Sequence, residues 1–213
     1  MAIHRPLIKL SDYERIFRIV HSVSESLGNT AGSACLFYNV VGAAILEANY
    51  KIHSVPVMGS AFFYVHEPSA SVLSFSYVSE AGIISTPDAF HCWVQADGYV
   101  LDFTAPVFGE SLIGAGSIHR IQRKMFQKPL ASMSEAHDDL SREGDFYVLP
   151  NPKLTSEFME KLANSPAMGD LEGICMGWFK KPPKNIPGKL KMVNDLGEIV
   201  TIALSSIKVT GAW

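Results

Sequence analysis

The chain has few cysteines, little net charge and no long apolar run, and each of these shortages excludes a class of protein. Three widely separated cysteines in 213 residues fit neither a disulfide framework nor a zinc-binding pattern. A formal net charge of −3 gives no electrostatic reason to expect nucleic acid or an anionic membrane as a partner. No apolar run approaches the roughly 20 residues of a membrane-spanning helix, and the N-terminus lacks the apolar segment of a signal peptide. We therefore expect a cytoplasmic protein with reduced cysteines, no metal and no cofactor.

The chain does have the composition of an ordinary globular protein. Hydrophobic residues make up 47% and charged residues 18% of it, which are typical shares for a folded domain. A chain of this length can bury one full core. We predict a single domain over 1–213, with a catalytic core over 28–106 and additional strands, loops and a short helix over 107–213. The sequence leaves the oligomeric state open.

The order of apolar patterns predicts an α+β fold. A first amphipathic helix ends at Gly28, and a second helix over 33–48 is apolar nearly all round, so it is expected to be the buried central helix. The dipeptide Asp97-Gly98 is a typical two-residue hairpin turn. Strands are predicted over 55–66, 72–78, 89–94, 99–104 and 174–179, and a short helix over 155–163. Two helices followed by paired strands predict a central buried helix packed on an antiparallel β-sheet.

Cys35 stands in the first turn of the predicted central helix, where a cysteine has the surroundings of a nucleophile. The thiolate is the attacking form, and the positive end of a helix dipole favours an anion. The small residues Gly32, Ser33 and Ala34 leave room for a substrate carbonyl, and backbone N–H groups at this place can stabilise an oxyanion. The alternative is that Cys35 fills the apolar core, because cysteine is among the most buried residue types.

His91 and Asp102 lie on the two arms of the predicted hairpin. The turn places them within about two positions of each other across the strand pair, which is within reach of their side chains. A carboxylate there can fix the tautomer and orientation of an imidazole, and the imidazole can then accept the proton of the thiol. The alternative is a structural hydrogen bond between the two strands.

These segments resemble a known superfamily. Cys35 at a helix start, the stretch His91-Cys92-Trp93-Val94 and the stretch Leu101-Asp102-Phe103-Thr104 are similar to the core of the papain-like cysteine proteinases. The similarity is to their transglutaminase-like branch, whose core the arylamine N-acetyltransferases share. The resemblance covers about 28–106 and implies a papain-like fold in which Cys35, His91 and Asp102 form a catalytic triad. It also indicates an uncharacterised bacterial family within this superfamily.

The chain also departs from that superfamily. Peptidases of this kind often carry a side-chain amide shortly before the cysteine, and Asn29 is six positions before Cys35. Asn29 can therefore complete the oxyanion hole, or it can be a turn residue with positive φ. Transglutaminases usually have Trp beside the cysteine, whereas Leu36 follows here, so protein cross-linking is not implied. Cys92 and Cys175 are predicted to fill the core.

The sequence thus predicts a cysteine hydrolase or acyltransferase. The substrate is expected to be a small-molecule or peptide amide, ester or thioester that forms an acyl-enzyme on Cys35. The residues do not choose between hydrolysis and transfer. The alternative from another class is a binding or structural protein that keeps the fold without turnover.

Overall fold

The computed structural model describes residues 5–28, 34–80, 82–194 and 196–213. The helices are α1 (Leu10–Ser26), α2 (Cys35–Ile45), α3 (Phe108–Gly114), α4 (Pro152–Ala163) and α5 (Pro166–Trp178). The longer strands are β1 (Ser54–His66), β2 (Ser71–Phe75), β5 (His91–Ala96), β6 (Tyr99–Asp102), β7 (Phe126–Pro129) and β8 (Phe146–Pro150). Two small hairpins are formed by β3 (Tyr77–Ser79) with β4 (Gly82–Ile84), and by β9 (Lys189–Val193) with β10 (Ile199–Ala203).

The main sheet is antiparallel. Its strands follow the order β2, β1, β5, β6, β7, and β8 also pairs with β1. The long strand β1 therefore holds the sheet together, because it pairs with β5 along its first half and with β8 and β2 along its second. Helices and an antiparallel sheet in one chain confirm the α+β class.

Helix α2 is buried and packs against β5, with α1 on its other side. Its sequence is apolar nearly all round, so it has no polar face to present to water. Val41 and Ile45 join α1 residues such as Phe17 and Val20 in the largest apolar cluster of the core. The helix continues past Ile45 in a wider turn over Leu46–Tyr50, close to the predicted end. The sheet and α1 thus hold α2 in place.

The hairpin of β5 and β6 turns where the sequence predicts. Asp97 and Gly98 have φ angles of 46° and 77°, the left-handed pair that a two-residue hairpin turn requires and that glycine adopts without strain. The register pairs Gln95 with Val100 and Val94 with Leu101. The first residue of β5 and the last residue of β6 therefore lie near each other, and these residues are His91 and Asp102.

The second half of the chain is more helical than predicted. The apolar run over 174–179 is not a strand but the end of α5, whose start is fixed by the Ser165 side chain accepting from Met168 N–H and by Pro166 at the first position. The helix predicted over 155–163 begins earlier, at Pro152, because Asn151 caps it. Together with α3, these elements correct the expectation of strands, loops and one short helix over 107–213.

Candidate functional site

Cys35 is the first residue of α2 and is 7% exposed. Its side chain belongs to a small apolar cluster with Met58, Cys92 and Leu154. At the start of a helix, the backbone N–H groups have no preceding turn whose carbonyl oxygens could accept their hydrogen bonds. Free N–H groups of this kind therefore lie beside Cys35. The structure therefore places the Cys35 thiol at the N-terminus of the central helix, as predicted, with β5 beside it. The predicted oxyanion residue Asn29 lies outside the described residues.

His91 and Asp102 form a buried hydrogen-bonded pair. Nε2 of His91 lies 2.5 Å from Oδ2 of Asp102. Both side chains are almost fully inaccessible, with 1% and 0% exposure. The contact joins the start of β5 to the end of β6, so the tight hairpin between these strands brings the imidazole and the carboxylate together.

The Asp102 carboxylate has partners for both of its oxygens. While Oδ2 faces His91, Oδ1 accepts from the backbone N–H of Thr104 at 2.8 Å, from the Thr104 hydroxyl and from Asn39 Nδ2 at 3.1 Å. The Tyr13 hydroxyl donates to the main-chain carbonyl of Asp102. A buried carboxylate is tolerated only when its lone pairs are occupied. These contacts hold Asp102 ionised and fixed in orientation.

Asn39 connects Cys35, Asp102 and the strand that carries His91, and the sequence reasoning missed it. It lies one turn after Cys35 on α2 and is fully buried. Its Nδ2 lies 3.1 Å from the carbonyl oxygen of Cys35, 2.7 Å from that of Cys92 and 3.1 Å from Asp102 Oδ1. Its Oδ1 accepts from Phe103 N–H at 2.9 Å. One amide thus ties the start of α2 to β5 and to the end of β6.

The signal that could have revealed Asn39 is its position. It is a polar residue in an otherwise apolar helix, four residues after the candidate nucleophile. A polar side chain on a buried face requires buried hydrogen-bond partners, and residues four apart on a helix lie on the same face. The position and polarity of Asn39 therefore predict that it lies close to the partners of Cys35.

Aromatic rings enclose the His91 ring. Phe75 stacks on it with ring centroids 4.1 Å apart and an interplanar angle of 22°. Phe63 stands edge-on with a centroid separation of 5.6 Å, and Phe108 is 6.0 Å away. This box and the hydrogen bond to Asp102 leave the imidazole little freedom to rotate. Nε2 is engaged, so Nδ1 is the ring nitrogen that remains for the thiol.

The charge on His91 reflects opposing effects. Burial lowers the pKa of His91, but the Asp102 carboxylate and, to a smaller extent, the neighbouring Cys35 thiol raise it to about 10 overall. For Asp102, burial raises the pKa and the positive charge of His91 lowers it, and the result is a lowered pKa. The pair is therefore an imidazolium with a carboxylate at neutral pH.

The Cys35 thiol influences the charge of His91. It contributes to the raised pKa of His91, and its side chain packs against Cys92, the residue that follows His91. Nδ1 of His91 has no well-oriented hydrogen-bond partner among the described residues. Catalytic hydrogen bonds are often long in a substrate-free site and tighten when the substrate binds. The structure therefore brings all three predicted residues to one place, with the pair His91–Asp102 already locked.

The pH dependence of stability is the first testable consequence. The pKa of His91 is raised from 6.5 to about 10, so its stabilising contribution is complete below pH 6.5 and is lost as the pH rises towards 10. The free energy of unfolding of the wild type should fall over this interval, by at most about 1.4 kcal/mol per pH unit. In Asp102→Asn, where burial dominates, that fall should be absent. Urea denaturation at a series of pH values measures both.

An exposed pair supplies the control for this experiment. His137 lies 3.0 Å from Asp138, whose side chain is 83% exposed, and solvent screens such a pair. Asp138→Asn should therefore follow the wild-type pH profile. Identical pH profiles for the wild type and Asp102→Asn would show that the His91–Asp102 pair is not charged in the folded protein.

The other two cysteines have surroundings that suit core positions. Cys92 and Cys175 are completely buried. Burial raises the pKa of the Cys92 thiol well above its usual value and that of Cys175 to about 12. Neither thiol has an imidazole partner among the described contacts. Cys35 is thus the cysteine that stands beside a histidine.

The described residues contain no cluster of three or more His, Cys, Asp or Glu side chains with the geometry of a metal site. Within the same residues, no helix is both long and apolar enough to cross a membrane.

Comparison with known proteins identifies relatives but assigns no activity. A family model described as "Protein of unknown function (DUF2026)" matches residues 9–213. A solved crystal structure, described only as that of a genomics target, is 32% identical to this chain. The match covers 100% of both chains, with a TM-score of 0.86. No curated protein matches the chain significantly. The relatives therefore share the whole fold, and the chemistry has to be argued from the site.

Proposed function

Because the chain belongs to the DUF2026 family, whose description assigns no activity, we propose its function from the site: it is a cysteine-nucleophile hydrolase or acyltransferase. The observation that carries the proposal is the His91 Nε2 to Asp102 Oδ2 hydrogen bond, in a site where Nδ1 of His91 stays unpaired among the residues that the structure describes and the Cys35 thiol helps to raise the pKa of the same imidazole. A thiol, an imidazole and an orienting carboxylate are the groups that a triad requires.

A papain-like fold of the transglutaminase-like branch is part of this proposal. The features that support it are a cysteine at the start of a buried helix and an antiparallel sheet whose paired strands carry His91 and then Asp102. The order along the chain is cysteine, histidine, aspartate, as in the families that the sequence resembles. The three cysteines are free thiols, which suits a reducing compartment, so we place the activity in the cytoplasm.

The first half of the reaction transfers the acyl group to Cys35. The attacking form of a cysteine is the thiolate. The electron pair of the Cys35 sulfur forms a bond to the carbonyl carbon of an amide, ester or thioester, with the His91 imidazolium beside it. The carbonyl electrons move to oxygen, which the backbone N–H of Cys35 stabilises. When the oxyanion collapses, the bond to the leaving group breaks and His91 gives its Nδ1 proton to that group. The product is a thioester on Cys35.

The second half releases the acyl group. Neutral His91 takes a proton from water, or from an amine or alcohol acceptor, as that group attacks the thioester carbonyl. Collapse of the second tetrahedral intermediate breaks the bond to sulfur and restores the thiolate beside the imidazolium. Asp102 keeps its charge and orients the ring throughout. Water gives hydrolysis and another acceptor gives transfer, from the same site residues.

Selective alkylation tests whether Cys35 is activated. Iodoacetamide should label Cys35 at least about tenfold faster than Cys92 or Cys175, because those thiols lack an imidazole partner. The rate at Cys35 should fall about tenfold in His91→Ala and in the polar variant His91→Asn. Mass spectrometry of each cysteine over a range of pH measures the rates, and circular dichroism checks the fold of the variants.

A matched histidine serves as the control. His53 has a side chain that is 78% exposed, and His53→Ala should leave the labelling of Cys35 unchanged. Equal and slow labelling of the three cysteines would favour the alternative, a binding protein without turnover. A panel of ester, thioester and anilide donors, with Cys35→Ser as the inactive control, then identifies the substrate class.

A further inference from the structure

A cavity of about 710 Å³ has Phe75, the ring that stacks on His91, among its lining residues. It is formed where the last turns of α1 approach β2 and α3, and none of its described lining residues belongs to the triad itself. Its size is in the range of sites that bind small molecules. The cavity is therefore large enough for a substrate group, and its position relative to Cys35 decides whether it can serve one.

One residue of the cavity wall also borders the triad. Phe75 lines the cavity and stacks on the His91 ring at 4.1 Å. Tyr38 lines it too, but its side chain packs with α1 residues such as Phe17, whereas Cys35 packs with Met58 and Cys92. A ligand in the cavity would thus contact the ring that stacks on His91.

Part of the cavity lining is apolar. Leu73, Phe75, Val107 and Ile207 contribute to it. Leu73 and Phe75 belong to the same cluster that packs around the His91 side of the sheet. Apolar surface of this kind binds a ligand by removing hydrocarbon from water. The part of a ligand closest to the triad is therefore expected to be hydrocarbon, aromatic or branched.

Glu25, whose side chain is 62% exposed, gives the α1 side of the cavity a negative charge. Nε2 of His21 lies 3.3 Å from Oε1 of Glu25, while Nδ1 of His21 is 2.6 Å from the Tyr38 hydroxyl. Burial outweighs the nearby Glu25 charge and lowers the pKa of His21, so His21 is neutral at pH 7 and does not offset Glu25. In the described part of the chain, no lysine or arginine pairs with Glu25.

The positive side chain in the cavity lining, Arg123, is already paired with a carboxylate. Arg123 binds the Glu110 carboxylate and also donates to the Pro106 carbonyl at 3.1 Å. Its charge and that of Glu110 therefore compensate each other. The net charge of the lining is that of Glu25, which favours a cation and disfavours a carboxylate or phosphate.

We propose that this cavity binds the acyl part of the substrate that Cys35 attacks, and that this acyl group is apolar and ends in an amine directed at Glu25. The inference rests on the proposed function, because it assigns the substrate class of the same site. Aminoacyl and peptidyl groups with an apolar side chain and a free amine have this chemistry. Acyl groups that end in a carboxylate or phosphate do not.

Electrophiles with different tails test this proposal. Chloroacetamide is the small probe. Three derivatives carry an apolar tail on its nitrogen: the phenethyl tail is neutral, the para-aminomethyl-phenethyl tail is cationic and the para-carboxymethyl-phenethyl tail is anionic. The phenethyl probe should alkylate Cys35 about tenfold faster than chloroacetamide at low concentration, because its ring is buried. The cationic probe should gain about threefold more, and the anionic probe should be slower than the neutral one. Peptide mass spectrometry measures the rates at Cys35.

Variants of the lining separate the apolar and the charged parts. Ser111→Phe, which fills the cavity from α3, should remove the advantage of all the tailed probes and leave the chloroacetamide rate unchanged. Ile113→Phe places the same ring on an exposed position of α3 outside the cavity lining. It should change neither the advantage of the tailed probes nor the chloroacetamide rate. Glu25→Gln should remove only the preference for the cationic tail. Glu135→Gln, at an exposed glutamate elsewhere, is its control.

The outcomes distinguish this inference from the proposed function. Selective labelling of Cys35 by chloroacetamide, with no gain from any tail, would overturn the cavity assignment and leave the nucleophile intact. A gain from the apolar tail without any preference between the charged tails would overturn the role of Glu25. Labelling of Cys35 that is no faster than that of Cys92 with every probe would overturn the proposed function itself.

Discussion

Replacing Asn39 with leucine is expected to lower the free energy of unfolding by about 3–5 kcal/mol. Leucine has the same number and branching of side-chain heavy atoms, so most of the loss comes from the polar groups that Asn39 now satisfies: the Phe103 N–H, the Cys92 carbonyl and one oxygen of Asp102. A buried polar group left without its partner costs about 1–3 kcal/mol. Urea denaturation at neutral pH, with the midpoint and slope fitted separately, measures the change.

The same helix supplies a matched control for this variant. Asn49 lies in the wider turn after α2 and donates to the Ile45 carbonyl, four residues earlier, as Asn39 does to Cys35. It has no such set of buried partners, so Asn49→Leu should change the free energy of unfolding by less than about 1 kcal/mol. Equal losses in the two variants would show that the amide of Asn39 is not what joins α2 to the hairpin.

Replacing Gly59 with alanine is expected to cost at least about 3 kcal/mol, because the added methyl group meets backbone. Gly59 pairs with His91 of β5 on one side and with Pro150 of β8 on the other. A Cβ at this position would overlap the carbonyl oxygen of Leu149 and lie 3.0 Å from Asn151 N. Unlike a side chain, these atoms cannot turn away, so β1 and β8 have to separate.

Thermal and urea unfolding compare this variant with Gly169→Ala. Gly169 is on α5 and has open space where a Cβ would be. Alanine there should stabilise the helix by up to about 1 kcal/mol. If Gly59→Ala is recovered only as insoluble protein while Gly169→Ala folds, the expected direction holds. A Gly59→Ala protein as stable as the wild type would mean that the crossing of β1 and β8 is looser than the structure shows.

The sequence predicts those parts of the fold that are determined by residues close together along the chain. Asp97-Gly98 specifies its turn through local backbone preference, and the turn sets the register of both arms. Helix α2 is evident because its apolar pattern has no polar face. The proximity of His91 to Asp102 follows from these local rules alone.

The features that the sequence does not reveal depend on distant partners. The run over 174–179 is apolar and short, and such a run has the same pattern in a strand and in a buried helix. Its helical state is set by Ser165 and Pro166, eight or more residues earlier. The cavity draws its lining from several separate segments of the chain, so no spacing along the sequence indicates it. The role of Asn39 is revealed in part by the sequence. A polar residue in an apolar helix is evident from the sequence, but the groups to which it bonds are not.

The short hairpin also has a consequence for how the protein reaches its folded state. His91 and Asp102 are eleven residues apart, and closing so small a loop costs little chain entropy. Burying a lone imidazolium or carboxylate would be far more costly than burying the two together. We expect the hairpin to neutralise its two charges before α2, more than forty residues earlier in the chain, docks against it. The assembly of the core then has to accommodate one compact dipole instead of two isolated ions.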